Sequence, residues 1–493
     1  MTSTHTRAHL AWLVAASLAG SGLVALAQDR IDKSLLGFTG PFTPPPFTEI
    51  LGRPTHAAVT LNVRSDSDAE VSVEFGRTPG RYERTTAPVA AAAAQPVEIL
   101  LDGLSADTRY YYRVQRRAAA GGALTPGLEH TFMTQRSPGS TFTFAAQGDS
   151  HPERAGNMFN SDLYVRTLRA VAAERPDFYI TSGDDFSVDT LRTVNQATVT
   201  ERYTIQVPYL SIVGQSSPLF LVNGNHEQAA RYLLDGSPNN VAVWAQNARN
   251  RHFPQPSPDG FYSGNTEVVP HIGLLRNYYA WEWGDALFVV IDPYWSSPVA
   301  VDTVFGQAGD AGNNGRTNNK WEITHGDDQY FWLKRTLEQS RAKWKFVFAH
   351  HVMGGGRGAI ELIDDYEWGG RNRNGTPGFA QNRPVWPAPI HQLFVANKVT
   401  IFFQAHDHLF VRQERDGVIY QELPNPADNT YTAFNADAYT SGDKFPNSGY
   451  VKVTVSPQDV KVDYVREYLP KDEAAPDRVS GAVQFSYTVQ PRP

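Results

Sequence analysis

The sequence predicts an α/β domain preceded by a small all-β sandwich, and three observations carry that division. From about Phe47 to Thr134, short alternating apolar and polar runs follow one another with turn signals between them and no helical period. From Thr141 the rhythm changes to apolar strands alternating with helical patterns, which implies parallel strand pairing. A chain of 493 residues also exceeds what one ordinary core organises.

Taken in order, the chain opens with Arg7 and His9 before a weakly apolar run, Leu10 to Leu26, and small residues at Ala25-Leu26-Ala27. Residues 1–27 therefore read as a signal peptide, and the mature protein as secreted or periplasmic. No second segment is long and apolar enough to span a bilayer, so no stable membrane insertion is expected after cleavage. Residues 28–45 read as a linker running into Pro44-Pro45-Pro46, which favours extended chain. In residues 46–136, strands are expected over 57–64, 71–75, 96–101 and 109–114, with turns at Thr78-Pro79-Gly80 and Asp102-Gly103. The small-residue run 90–94 reads as a loop.

In residues 140–493, strands are expected over 141–147, 178–182, 219–223, 287–291, 345–349 and 399–404. Helices are expected over 161–175, 199–213 and 327–341; the first carries Val165, Leu168 and Ala172 on one face. Two antiparallel strands close the chain around Ser456-Pro457-Gln458. The stretches 230–285 and 354–388 read as inserts shaping a substrate pocket.

Composition excludes several functions. A formal charge of −7 with no basic run argues against a protein that coats nucleic acid. There is no cysteine, which removes disulfides, thiolate zinc sites and cysteine nucleophiles. Gly214-Gln215-Ser216-Ser217-Pro218 lacks the serine-hydrolase elbow, and His226-Glu227-Gln228-Ala229-Ala230 lacks the second histidine of a zinc protease.

The informative residues follow the strands. They are Gly148-Asp149-Ser150-His151, Gly183-Asp184-Asp185, Asn223-Gly224-Asn225-His226-Glu227, His350-His351 and Ala405-His406-Asp407-His408. Ligands of open α/β sheets collect at the carboxyl ends of parallel strands, and five such ends here deliver Asp, Asn or His to one edge of one sheet. Two divalent ions about 3.5–4 Å apart need a shared anionic ligand, and carboxylate, amide and imidazole donors suit such a pair. His406 and His408 are expected to point to opposite sides and so to serve different metals.

In these five blocks the chain resembles the calcineurin-like metallophosphoesterase superfamily, with the purple acid phosphatases among its nearest relatives. Ala405 stands where the superfamily usually has Gly. The stretch from Leu101 to Val114 is similar to a strand signature of fibronectin type III domains and to the N-terminal module of purple acid phosphatases. The resemblance implies a four-layer α/β (α+β) sandwich holding two divalent metal ions, which could be zinc, manganese or iron. Asp149, His151 and His408 would hold one, Asn225, His350 and His406 the other, with Asp184 bridging. Spacing selects His350 over the alternative His351, and Asp185 reads as a turn or supporting residue. His226, with Asn225, would meet the substrate, and His226 would protonate or stabilise the leaving group.

Purple acid phosphatases carry a tyrosine three residues after the bridging aspartate; Ser187 stands there instead, so a colourless protein is expected. The implied reaction is hydrolysis of a small phosphate monoester by in-line attack of a hydroxide shared by the two ions. Phosphodiester cleavage and an inactive adhesion or scaffold protein are the alternatives. Arg357 and Arg371 are the candidate oxyanion partners in the second insert.

Overall fold

A computed structural model describes residues 42–227, 230–301, 319–352 and 356–492. The expected signal peptide lies outside them, as do the linker up to residue 41 and the glycines Gly354 and Gly355.

The N-terminal region is a two-sheet β-sandwich. Phe47–Gly52, Val59–Ser65 and Pro96–Leu101 form one antiparallel sheet; Ala69–Gly76 and Arg109–Ala118 are central to the other. Residues two apart on a strand share a face, so Val59, Leu61 and Val63 meet Val71, Val73, Phe75, Tyr112 and Val114 in one core. The opposite face is also buried: Asn62 donates its side-chain amide to the Arg251 carbonyl (3.1 Å), outside the sandwich. The small-residue run is not wholly loop. Val89–Ala91 pairs with the strand Ala69–Gly76 and turns Ala91 into the sandwich core.

The sandwich docks firmly on the larger domain. Tyr112 donates to the Gln215 carbonyl (2.8 Å) and Tyr262 to the Pro54 carbonyl (2.5 Å). A Cβ at Gly52 would lie 2.2 Å from the Pro254 carbonyl oxygen, so only glycine fits there. Beside this interface, burial pushes the Glu49 carboxyl up to about 7, against the opposing pull of Tyr112 and Arg116. Its folded pKa exceeds the unfolded value, so the folded state binds the extra proton and stability falls as pH rises from about 4.5 to 7. Glu49→Gln is therefore expected to raise the thermal midpoint at pH 8, by up to about 3 kcal/mol of stability, and to leave it nearly unchanged at pH 5. Equal melting shifts at both pH values would contradict this.

The larger domain has two facing sheets. The six-stranded sheet sets Leu219–Leu221, Tyr179–Thr181 and Phe142–Gln147 in parallel, then continues antiparallel through Tyr450–Val455, Val460–Arg466 and Ala482–Val489. The eight-stranded sheet sets Ala286–Val290, Trp344–Phe348, Ile401–Gln404 and Val418–Glu422 in parallel. Alternation sorts the side chains. Phe144, Phe178, Phe220, Phe288, Phe346, Phe348 and Phe403 fill the space between the sheets, with Phe220 stacked on Trp281 at 4.0 Å. Ala145, Tyr179 and Leu219 turn outward to the helices Ser161–Glu174, Val207–Gly214 and Val241–His252. Val289, Val347 and Phe402 turn the other way, to Gly326–Gln339 and Ile390–Ala396. The result is four layers, helix on sheet on sheet on helix.

Three expectations need correction. The strand ends belong to two sheets, not one, because each sheet needs a helical layer on only its outer face. The helix expected over 199–213 is two, Gln196–Thr204 and Val207–Gly214, since Pro208 can only open a helix. The stretch 230–285 is largely framework: it supplies the helix Val241–His252 and the strand Tyr279–Trp283. Arg249 within it is buried and donates to the carbonyls of Leu221 and Arg276, so it is a structural cation.

Candidate metal centre

The carboxyl ends of five strands from the two sheets converge on one buried cluster. Glycine permits it. A Cβ on Gly224 would lie 2.2 Å from Asp184 Oδ1, and one on Gly183 (φ +95°) within 3 Å of both Gly224 and His350. Asp184, His151, His406 and His408 themselves adopt left-handed backbone, a strain that surrounding packing must hold.

Asp149 Oδ2 lies 2.9 Å from His408 Nε2, 3.6 Å from His151 Nε2 and 4.0 Å from His350 Nε2. Asp184 Oδ2 lies 3.0 Å from His350 Nε2 and 3.7 Å from His226 Nε2. Among the described residues, Asp149, His151 and His408 form a ligand group on one side, and Asp149, Asp184, His350 and His406 form one on the other, which His351 also joins through His350 and His406. Asp184 also groups with His151 and His226, which places it between the two sides. Asn225 is buried beside them, in the loop that carries His226.

These residues fit a cation site on their own chemistry. Among the described residues, His151 Nε2 and His408 Nδ1 are buried without a hydrogen bond, an expensive arrangement unless another ligand completes them. The opposite ring nitrogens of two histidines are anchored. His350 Nδ1 sits 2.8 Å from the Ser182 carbonyl, and His151 Nδ1 sits 3.1 Å from Glu153 and 3.0 Å from Ser187 Oγ. Such outer bonds set the tautomer and aim Nε2 inward.

Burial opposes charge on His350, yet Asp184 and Asp149 raise it to about 10. Burial likewise works against Asp149 and Asp184, but the imidazoles hold both carboxyls well below the usual range. The cage thus attracts positive charge strongly, and a metal cation would displace protons from it.

The calcineurin-like phosphoesterase family model matches residues 142–410, more than half of the chain and every ligand block. The chain belongs to this family. It is accordingly a hydrolase acting on phosphate esters. The fold agrees with two solved structures. PhoD aligns with a TM-score of 0.61 at 15% identity, covering 92% of each chain. A purple acid phosphatase from yellow lupin (Lupinus luteus) seeds aligns with a TM-score of 0.56 at 15% identity, covering 90% of this chain and 74% of its own. Among curated proteins no sequence matches this one.

Within this phosphoesterase, several side chains stand where the sequence did not anticipate. Residues two apart on a strand would share a face. What separates His406 from His408 is the turn beyond the strand, where both have left-handed backbone, φ 81° and 66°. His351 Nδ1 meets the Tyr294 hydroxyl at 2.5 Å and its ring stacks on His406, and it also groups with His350 and His406 at ligand distance. Asp185 takes hydrogen bonds from Ser150 (2.6 Å) and Gln147 (3.1 Å). Ala405 is fully buried and donates its N–H to the His350 carbonyl (2.7 Å), so the extra methyl is accommodated.

The two candidate arginines differ. Arg357 donates to Asp407 (2.8 Å) and to the His406 carbonyl (2.9 Å), which braces the loop bearing His406 and His408. Arg371 is exposed and donates to the Gly375 carbonyl within its own loop, and among the described residues it makes no contact with a ligand residue. In its place the fold brings Arg154, with Nη2 3.2 Å from His226 Nε2. Asp189 also arrives unannounced, 2.7 Å from His226 Nδ1. Glu227 accepts the N–H groups of Gly224 (2.6 Å), Asp185 (2.9 Å) and Phe186 (3.3 Å), joining two ligand loops. Only Glu227 had a local signal, its place next to His226; Asp189 and Arg154 become neighbours of His226 through folding alone.

Proposed function

We propose that this phosphoesterase is an exported enzyme that hydrolyses small phosphate monoesters with two divalent metal ions. The observation that carries the reading is the pairing of Asp149 and Asp184 with imidazoles on both sides, in two ligand groups that share Asp149. Asp149, His151 and His408 would hold one ion; Asn225, His350 and His406 the other; Asp184 would serve both. Bound there, the ions lower the pKa of water to supply a nucleophile and offset charge on the phosphoryl oxygens. Two aspartates against two divalent ions leave a net positive site, which suits a phosphate dianion.

The chain's own residues supply the rest. His226 faces the centre through Nε2, and Asp189 holds its Nδ1, so the ring keeps one orientation for protonating a departing alkoxide. Asn225 lies beside it as a donor to the substrate. Export rests on the sequence of residues 1–27 alone. The fibronectin type III-like reading of the sandwich rests on the Leu101–Val114 pattern, and the docked interface suits a positioning module.

The test is metal analysis joined to a substrate comparison. About two equivalents of metal, no visible charge-transfer band, and faster turnover of p-nitrophenyl phosphate than of bis-p-nitrophenyl phosphate are expected. The reverse preference would favour a phosphodiesterase; neither metal nor turnover would favour a scaffold.

A further inference from the structure

We propose that Arg154 grips the phosphoryl group of the substrate and biases the site towards monoesters; this rests on the phosphatase reading above. Arg154 ends the short turn Pro152–Arg154, which begins three residues after the ligand Asp149 and directly after the ligand His151. That turn starts from left-handed backbone at His151, and its last residue reaches His226. Its Nη2 lies 3.2 Å from His226 Nε2, and that imidazole lies 3.7 Å from Asp184 Oδ2. The guanidinium is thus one hydrogen-bond length from the ring that faces the reacting group.

Its exposure fits the same role. The Arg154 side chain is 25% exposed, whereas those of Asp149, His151 and His350 are fully buried, so it stands at the mouth between solvent and ligands.

The guanidinium's other partners are poor matches for it. Among the described residues, Nη1 reaches only the thioether of Met158 at 3.7 Å, a weak acceptor. Nε lies 3.4 Å from Glu153 Oε1, an oxygen already engaged by His151 Nδ1 at 3.1 Å. Among the described residues neither terminal nitrogen meets a carboxylate. Arg357, by contrast, is committed to Asp407 at 2.8 Å, and Arg383 to Glu367 at 2.5 Å. A planar fork whose terminal nitrogens meet sulfur and imidazole, and whose Nε shares a carboxylate oxygen with His151, is matched beside a cation cage by an anion with several equivalent oxygens. A terminal phosphate offers three such oxygens and up to two charges; a diester offers two and one. The same cation therefore gains more from a monoester.

The experiment compares the metal-loaded parent with Arg154→Ala and Arg154→Lys, using inorganic phosphate as the binding probe in calorimetry. Phosphate affinity is expected to fall about ten- to hundredfold in Arg154→Ala, the loss of one or two charge-assisted hydrogen bonds. Lys should restore part of it, and metal content should not change. The KM for p-nitrophenyl phosphate should rise, and kcat/KM should fall more for p-nitrophenyl phosphate than for bis-p-nitrophenyl phosphate. Phosphate affinity within twofold of the parent would overturn the proposal, whether or not kcat falls, and would leave Arg154 as a residue that merely positions His226. Equal losses on both esters would overturn the monoester bias. If the parent hydrolyses neither ester, the phosphatase reading fails, and calorimetry still scores the phosphate contact separately.

Discussion

Asp184→Ala is expected to strip the centre of metal and to lower kcat by at least roughly 10³-fold, since several electrostatic stabilisers of the reaction are lost with it. The reason is positional. Asp184 is the carboxylate that belongs with His350 and His406 on one side and with His151 and His226 on the other. The substitution also leaves the His226 backbone N–H, which donates to Asp184 Oδ1 at 3.0 Å, without its acceptor. That loss costs about 1–3 kcal/mol of stability, so the variant's melting temperature must be measured alongside its metal content. Asp184→Asn separates the effects, because it keeps an acceptor for that N–H and removes only the charge. A folded Asp184→Asn protein that retains two equivalents of metal and full activity would refute the bridging role.

His226→Ala is expected to behave oppositely with respect to metal. Its content should stay near that of the parent, while kcat falls about 10²- to 10⁴-fold on a substrate with a poor leaving group. With p-nitrophenolate, which departs readily without a proton, the loss should be smaller. This contrast distinguishes proton donation from mere packing, because a packing defect would slow both substrates alike. Asp189→Asn should reproduce the same leaving-group pattern at reduced amplitude, since it disturbs the orientation of the ring and not its presence. An unchanged rate in His226→Ala on an alkyl phosphate would eliminate the assigned role.

Much of this site is legible in the order of residues along the chain. Asp149, His151, Asp184, Asn225, His350, His406 and His408 each sit at a strand end, and a polar residue repeatedly placed after an apolar strand is a local pattern. The division into a β-sandwich and an α/β domain is legible for a similar reason, because strand and helix periods are properties of short windows. Where short-range rules compete, local pattern misleads. Pro208 splits a helix whose apolar period runs on without interruption, and the run 230–285 hides framework elements behind polar, aromatic and proline-rich composition.

What the sequence by itself determined is the inventory: which donors exist, that no thiolate is among them, and that they follow strands in a set order. What only the tertiary structure decided is proximity. The centre draws on two facing sheets, His406 and His408 part at a left-handed turn, and Asp189 and Arg154 reach His226 while Arg371 does not. Periodicity is set within a few residues, so a sequence window contains it. Which loop arginine faces a cage is set by packing between segments far apart in the chain, and no window contains that.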